Sequence, residues 1–254
     1  MTSVAEACDG VRALLAHWGL SAADPVGLSN RGNLILGCRP YALVARVATV
    51  FPGDDPAAFA SVWRRELAVA EHLRRHHLPV VEPTTLIPAG PHPVAGTWMS
   101  LWSLADPGGA TPPVPPALIL GCRLTEAMKQ FPGELPARGA WIPAQEALPR
   151  LNPLRSRDAD VDRLATEVER VEDEMGSRVL SPAHGDAHAG NLVWTGGRWR
   201  WIDVEDASRM PRSWDLATFV AQGALGEPAS NRLVLEALAR SEVAADRDAF
   251  RWAV

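Results

Sequence analysis

His184-Gly185-Asp186-Ala187-His188-Ala189-Gly190-Asn191, with Trp201-Ile202-Asp203 a short way on, is the stretch that decides how this 254-residue chain is read. Asp186 stands two residues after His184, and Asn191 five after Asp186. That is the spacing of a loop that supports phosphoryl transfer. One carboxylate of such a set takes the proton of an attacking hydroxyl. An amide oxygen and a second carboxylate hold Mg²⁺ against nucleotide phosphates.

The residues between the two motifs predict a hairpin. Asn191-Leu192-Val193-Trp194 is a short apolar strand, Thr195-Gly196-Gly197 a turn signal, and Arg198-Trp199-Arg200-Trp201-Ile202 alternates polar and apolar residues. A ribbon of this length brings Asn191 and Asp203 side by side at its open end, where two ligands can converge on one cation. Mg²⁺ takes few protein ligands and keeps water and phosphate oxygens for the rest, so these two suffice. His184, Asp186, His188 and Asp203 also suit the transition-metal site of a hydrolase, an alternative that leaves Asn191 and the spacing unexplained. A pseudokinase that binds nucleotide without turnover is a second alternative, although Asp186, Asn191 and Asp203 are all present.

His-Gly-Asp-x-His-x-Gly-Asn followed by Ile-Asp-x-Glu-Asp resembles the aminoglycoside phosphotransferase and choline kinase-like family, most closely over residues 181–217 and less so over 28–105. The resemblance implies an α+β, protein-kinase-like bilobal fold. A small antiparallel-sheet N-lobe would span residues 1–102. A mostly helical C-lobe, 103–254, would carry the catalytic loop, metal site and acceptor pocket. It also implies ATP-dependent transfer of the γ-phosphoryl group to a hydroxyl of a small molecule: an aminoglycoside-like antibiotic, an amino alcohol or a sugar. Mg²⁺ is the implied cofactor and ATP the co-substrate, with GTP left open. Asp186 is then the catalytic carboxylate, Asn191 and Asp203 are the metal ligands, and His184 braces the loop. His188 stands where many protein kinases carry a Lys, and either touches the transferring phosphate or packs. Asp215, where Pro211-Arg212-Ser213-Trp214-Asp215-Leu216-Ala217 opens a helix, matches an Asp that in relatives hydrogen-bonds backbone near the catalytic loop. Capping the helix start is the other role open to it.

A kinase-fold enzyme ordinarily grips the inner phosphates with a strand Lys paired to a helix Glu. Lys129 is the only Lys in the chain and lies past the hinge. Under the resemblance, Arg46 in the strand Tyr41-Ala42-Leu43-Val44-Ala45-Arg46-Val47 takes that place. Its permanent charge and planar fork suit phosphate; a strand Arg pointing to solvent is the alternative. Its partner is Glu66, preferred to Glu71, in a helix predicted near 57–76 from the spacing of Phe59, Val62, Leu67, Ala70 and Leu73. The run Leu28 to Leu36 would be the hairpin over the phosphates, with Ser29, Asn30 and Gly32 supplying small polar or backbone N–H groups. It lacks Gly-x-Gly-x-x-Gly, and an ordinary β-turn is the alternative. Thr97 to Trp102 is a strand leading into a hinge, Ser103 to Gly109, where the backbone of Ser103, Leu104 or Ala105 would meet the adenine edge. Trp102 is either an adenine wall or core.

Elsewhere the pattern predicts a helix over 4–18, strands near 26–29, 33–38 and 41–48, and an extended Pro79 to Pro83. An extended Pro-rich connector is expected over 112–116, followed by helices over 117–129, 148–150 and 160–175. The net charge of −5 implies no broad basic surface for nucleic acid. No apolar run approaches the ~20 residues needed to span a bilayer, and Met1 to Glu6 does not read as a signal peptide. Cys8, Cys38 and Cys122 are odd in number and far apart, as in a cytoplasmic protein with reduced thiols. A monomer or a homodimer is expected. Glu205, Asp206, Glu227 and Glu242 are the carboxylates available to an acceptor pocket. The stretch after Asp215 is short beside the family's usual C-terminal helices, so a large multi-site aminoglycoside pocket is not expected; a smaller alcohol or amino alcohol, or a missing partner surface, is equally open.

Overall fold

The computed structural model describes residues 3–49, 56–105 and 114–226. The chain forms two compact units, Met1–Pro112 with Asn191–Glu205, and Pro113–Gly190 with Asp206–Val254.

The first unit is built on a five-stranded antiparallel sheet of order β1-β2-β3-β5-β4. Its strands are β1 Asp24–Arg31, β2 Asn33–Arg39, β3 Leu43–Val47, β4 His92–Val94 and β5 Thr97–Ser103. Strand alternation gives the sheet two chemically different faces. Leu34, Leu36, Leu43, Ala45, Val47, Met99 and Leu101 are buried in one core. Asn33, Ile35, Val44 and Arg46 occupy the other face and line a cavity. Helix α1, Val4–His17, opens with a reciprocal capping box between Ser3 and Glu6. It adds Ala7, Val11 and Leu15 to that core, whereas Val4 is exposed.

Helix α2, Pro56–Arg75, presents Ala60, Trp63, Glu66, Val69, Ala70 and Leu73 as its buried stripe. The spacing read from sequence placed Val62 and Leu67 inward, but both are only half-buried. The stripe is rotated because it runs through Trp63 and a carboxylate, which a hydrophobicity count passes over.

The ribbon β7 Leu192–Thr195 and β8 Arg198–Trp201 belongs to this unit. The Val81 N–H donates to the Trp201 carbonyl at 2.8 Å and the Trp201 N–H to Pro79 at 2.9 Å. The indole of Trp201 is fully buried. The expectation of a single cut at 102/103 therefore gives way to a division that the chain crosses three times, because segment 79–81 finds its strand partner in the ribbon.

The second unit holds α3 Val114–Met128, α4 Ile142–Leu151, α5 Ala159–Met175 and α6 Trp214–Gly226, with β6 Leu180–Ala183 antiparallel to β9 Ser208–Pro211. Pro115 and Pro116 lie in the first turn of α3 rather than in an extended connector; that turn needs no intrahelical donor, so it tolerates Pro. Glu172 of α5 accepts from Arg138 Nη1 (3.3 Å), Trp141 Nε1 (2.5 Å) and Gln145 Nε2 (3.0 Å), tying α5 to α4 and the turn before it. Among the described residues no helix is long and apolar enough to cross a membrane.

Candidate active site

The first unit encloses a cavity of about 400 Å³. Ile35 and Val44 from the sheet, Val80 and Trp102, and Val193 and Ile202 from the ribbon make its apolar walls. Ser29, Asn33, Arg46, Glu66 and Asp203 gather as its polar groups.

Arg46 is the hub of the polar end. Its Nη1 donates to Glu66 Oε1, and its Nη2 to Asp203 Oδ1 at 2.5 Å, with Glu205 Oε2 3.0 Å away. Its guanidinium carbon lies 5.1 Å from the centroid of the buried Trp63 ring, a cation–π arrangement. Glu66 is 1% exposed, and its second carboxylate oxygen has no hydrogen-bond partner among the described residues. Burial lifts the Glu66 carboxyl to about 8, against the pull of Arg46, with Glu205 and Asp203 raising it further. For Arg46, burial works the other way but is outweighed by Glu66, Glu205 and Asp203, and its value rises. Glu71 plays no part here: it bonds Arg74 and Arg75, and the Arg74 hydrogen bond holds it down at about 2.

A measurable consequence follows from Glu66. Its folded value lies above the ordinary carboxylate value, so the stability it contributes is complete below the unfolded value near 4.5 and is lost as pH rises toward about 8. Across that window the parent should lose melting temperature more steeply than Glu66→Gln. Parallel melting curves would mean that Glu66 is ionised throughout.

Asp203 follows β8 with φ +64°, a left-handed conformation uncommon outside Gly. The Ile202 N–H donates to the Asn191 carbonyl at 3.0 Å, carrying the ribbon's ladder one step past the Leu192–Trp201 pair. Asn191, 7% exposed, and Asp203 thus flank the ribbon's open end.

At the end of β5, two N–H groups are already committed: Ser103 donates to Glu82 at 2.9 Å and Leu104 to Ala42 at 3.0 Å. Leu104 is 43% exposed and does not line the cavity, whereas Ser103 and Ala105 do. Trp102 is both wall and core: it lines the cavity, is 8% exposed, and donates from Nε1 to Ser100 Oγ at 2.8 Å. The remainder of the predicted hinge, 106–109, lies outside the described residues.

In the second unit, the loop from His184 to Gly190 is fixed by α6. The buried Asp215 carboxylate accepts the His184 N–H at 2.9 Å and the Gly185 N–H at 3.0 Å. Burial raises its pKa, while His184 and these two N–H groups pull it back. Trp214 Nε1 donates to the Gly185 carbonyl at 2.8 Å. Gly185 has φ +95°, and a Cβ there would meet the Asp206 carbonyl oxygen at 2.3 Å, so only Gly fits. His184 is fully buried, with Nδ1 3.4 Å from the Asp186 N–H. His188 Nδ1 accepts the Gly190 N–H at 3.0 Å, which leaves the neutral ring's proton on Nε2, 3.4 Å from Asp186 Oδ2. Lys129 pairs with Glu126 on the surface at 2.6 Å.

A family model for phosphotransferase enzymes matches residues 27–253. The chain belongs to the phosphotransferase enzyme family. No curated protein sequence matches the chain, but solved structures do. Aminoglycoside phosphotransferase APH(3'')-Id from Streptomyces rimosus superposes with a TM-score of 0.65 at 16% identity, covering 100% of this chain and 97% of that one. A choline/ethanolamine kinase family protein from Mesorhizobium loti gives 0.58 at 17%, covering 90% and 74%. A streptomycin–ATP–APH(2'')-IIa ternary complex gives 0.59 at 12%, covering 96% and 85%. The fold is that of these protein-kinase-like small-molecule kinases.

Within this phosphotransferase some expected positions move. Ser29 lines the cavity, but Asn30 and Gly32 do not; Leu28 and Asn33 stand there instead. The irregularity between Gly27 and Ser29 shifts the strand's phase, and Gly32, φ +79°, is the turn itself. Glu205, read from sequence as an acceptor carboxylate, bonds Arg46 and Asn33 in the first unit. Its place two residues after Asp203 is the one sequence signal that could have found it. No group of three or more His, Cys, Asp or Glu among the described residues is arranged to hold a metal ion.

Proposed function

We propose that this phosphotransferase moves the γ-phosphoryl group of ATP to a hydroxyl of a small molecule. The observation that carries the reading is Arg46, held by Glu66 on one side and Asp203 on the other within a cavity of nucleotide size. The apolar walls suit a purine. Ala105, with the Ser103 carbonyl beside it, is the backbone that meets its edge. Arg46 contacts the inner phosphates, its fork kept in place by Glu66.

The residues present fit Mg²⁺. Asn191 and Asp203 are hard oxygen donors at one ribbon end, and the carboxylates of Asp203 and Glu205 together outweigh the single Arg46 guanidinium, a negative excess that a divalent cation offsets. When bound, Mg²⁺ supplies charge neutralisation at the phosphates. Asp186 orients the acceptor hydroxyl and takes its proton late, after the loose transition state has developed. His184, His188 and Asp215 hold the loop that carries Asp186. Positioning accounts for most of the acceleration.

Glu205 is engaged by Arg46, which leaves one fewer of the carboxylates considered for the acceptor; Glu227 and Glu242 lie outside the described residues. A smaller alcohol or amino alcohol is the acceptor proposed ahead of a polycationic antibiotic. Three free cysteines support a reducing compartment, the cytoplasm; a monomer or homodimer is the state proposed.

Two measurements test the reading. An ADP-release screen over aminoglycosides, macrolides, amino alcohols and sugars should find an acceptor. Binding of ATP without ADP release from any of them would make the chain a pseudokinase. Calorimetry with and without Mg²⁺ should show that Asp203→Ala weakens ATP binding and abolishes its metal dependence. A metal dependence equal to the parent's would remove Asp203 from the site.

A further inference from the structure

Beyond its charge beside Arg46, Glu205 has no role in the reaction as described, yet it is tied to three residues of the first unit, Arg65, Arg46 and Asn33. Its backbone carbonyl accepts from Arg65 Nη2 of α2 at 2.9 Å, which fixes its base. Its carboxylate reaches forward to two partners. One is Arg46 Nη2 at 3.0 Å. The other is the side chain of Asn33, whose Nδ2 stands 3.0 Å from Oε2 and 3.4 Å from Oε1. Asn33 is the first residue of β2, directly after the Gly32 turn, and its side chain lines the cavity. The far side of the same turn is held separately, by the Thr49 hydroxyl donating to the Gly32 carbonyl. The β1–β2 turn is therefore pinned from two directions, and one pin is attached to the guanidinium assigned to the phosphates.

We propose that Glu205 is a positioning residue that latches the β1–β2 turn over the phosphate end of the cavity through Asn33, and so couples the height of that turn to Arg46. The proposal rests on the ATP-dependent reading above. A hydrogen bond between a carboxylate and an amide is charge-assisted and directional. It sets where the two polar residues of this hairpin that line the cavity, Ser29 and Asn33, stand relative to Arg46. Glu205 itself touches neither phosphate nor acceptor; its effect passes through Asn33 and Arg46.

The latch predicts a charge-conserving rescue. Asn33→Asp sets two carboxylates face to face, removing one hydrogen bond and adding repulsion, and should weaken ATP–Mg²⁺ binding about tenfold. Glu205→Gln alone keeps an acceptor for Asn33 and should cost less. The double variant Asn33→Asp/Glu205→Gln rebuilds the hydrogen bond with donor and acceptor exchanged at unchanged net charge, and should recover most of the lost affinity, a coupling that independent sites do not show. Adenosine, which has no phosphates, should bind all variants alike. Isothermal calorimetry with ATP–Mg²⁺ and with adenosine reads each quantity, and melting temperatures of the ligand-free variants check that each is folded. A double variant no better than Asn33→Asp, an Asn33→Asp protein that binds ATP–Mg²⁺ like the parent, or an equal loss for adenosine would overturn the latch while leaving the phosphotransferase reading intact. A parent protein that binds no ATP–Mg²⁺ at all would overturn both.

Discussion

Replacing Asp186 by Asn is expected to lower turnover by about 10²–10⁴-fold, the usual worth of a positioned general base, and to leave ATP–Mg²⁺ affinity nearly unchanged. The amide has the shape of the carboxylate but cannot accept the acceptor's proton. The cavity around Arg46 is lined wholly by first-unit residues, so its walls are untouched by the change. The carboxylate is 43% exposed, with His188 Nε2 at 3.4 Å, so neither partner is left buried and unpaired. Single-turnover ADP release, with the best acceptor from the screen, measures the first quantity and calorimetry the second. Full turnover in the variant would exclude Asp186 from proton transfer. A parallel loss of ATP affinity would assign it to binding instead.

Asp215→Ala should be the most damaging substitution for the fold around the loop. Two buried N–H groups, from His184 and Gly185, lose their acceptor together. Each unsatisfied buried donor costs about 1–3 kcal/mol, so roughly 2–6 kcal/mol of stability is at stake. Asp215→Asn should fall between, because its single amide oxygen serves one N–H while its NH₂ faces the other. Urea unfolding gives the stabilities, and turnover should fall in the same order, because a shift of about 1 Å at Asp186 is enough to cost 10²-fold. An alanine variant as stable as the parent would show that the loop donors find other acceptors.

The parts legible in the sequence were those fixed by local spacing. The octet from His184 to Asn191 sits in one loop, and the ribbon after it follows from alternation and a Gly-Gly turn over a dozen residues. Arg46 and Glu66 were reachable because their strand and helix are each patterned, even though the helix stripe was placed one step out of phase. What escaped was set by pairings far apart in sequence. Glu205 meets Asn33 and Arg46, both far away in sequence, in a unit that the ribbon joins through segment 79–81. Leu104 is turned away because its N–H is taken by Ala42, a consequence of the β3–β5 register. Asn33 replaced Asn30 and Gly32 because one strand irregularity reverses which side chains face the cavity. Pro115 and Pro116 misled because the same residue suits both an extended connector and the opening turn of a helix.

The stretch around Val81 leaves the ribosome well before Trp201 exists. At 5–20 residues per second, the interval between residue 112 and residue 205 is on the order of ten seconds. Throughout it the nascent chain carries an unpaired edge and an open hole where an indole belongs. A truncation ending near residue 112 would keep that defect permanently, so the N-terminal part of the first unit is not expected to be obtainable as a well-behaved fragment.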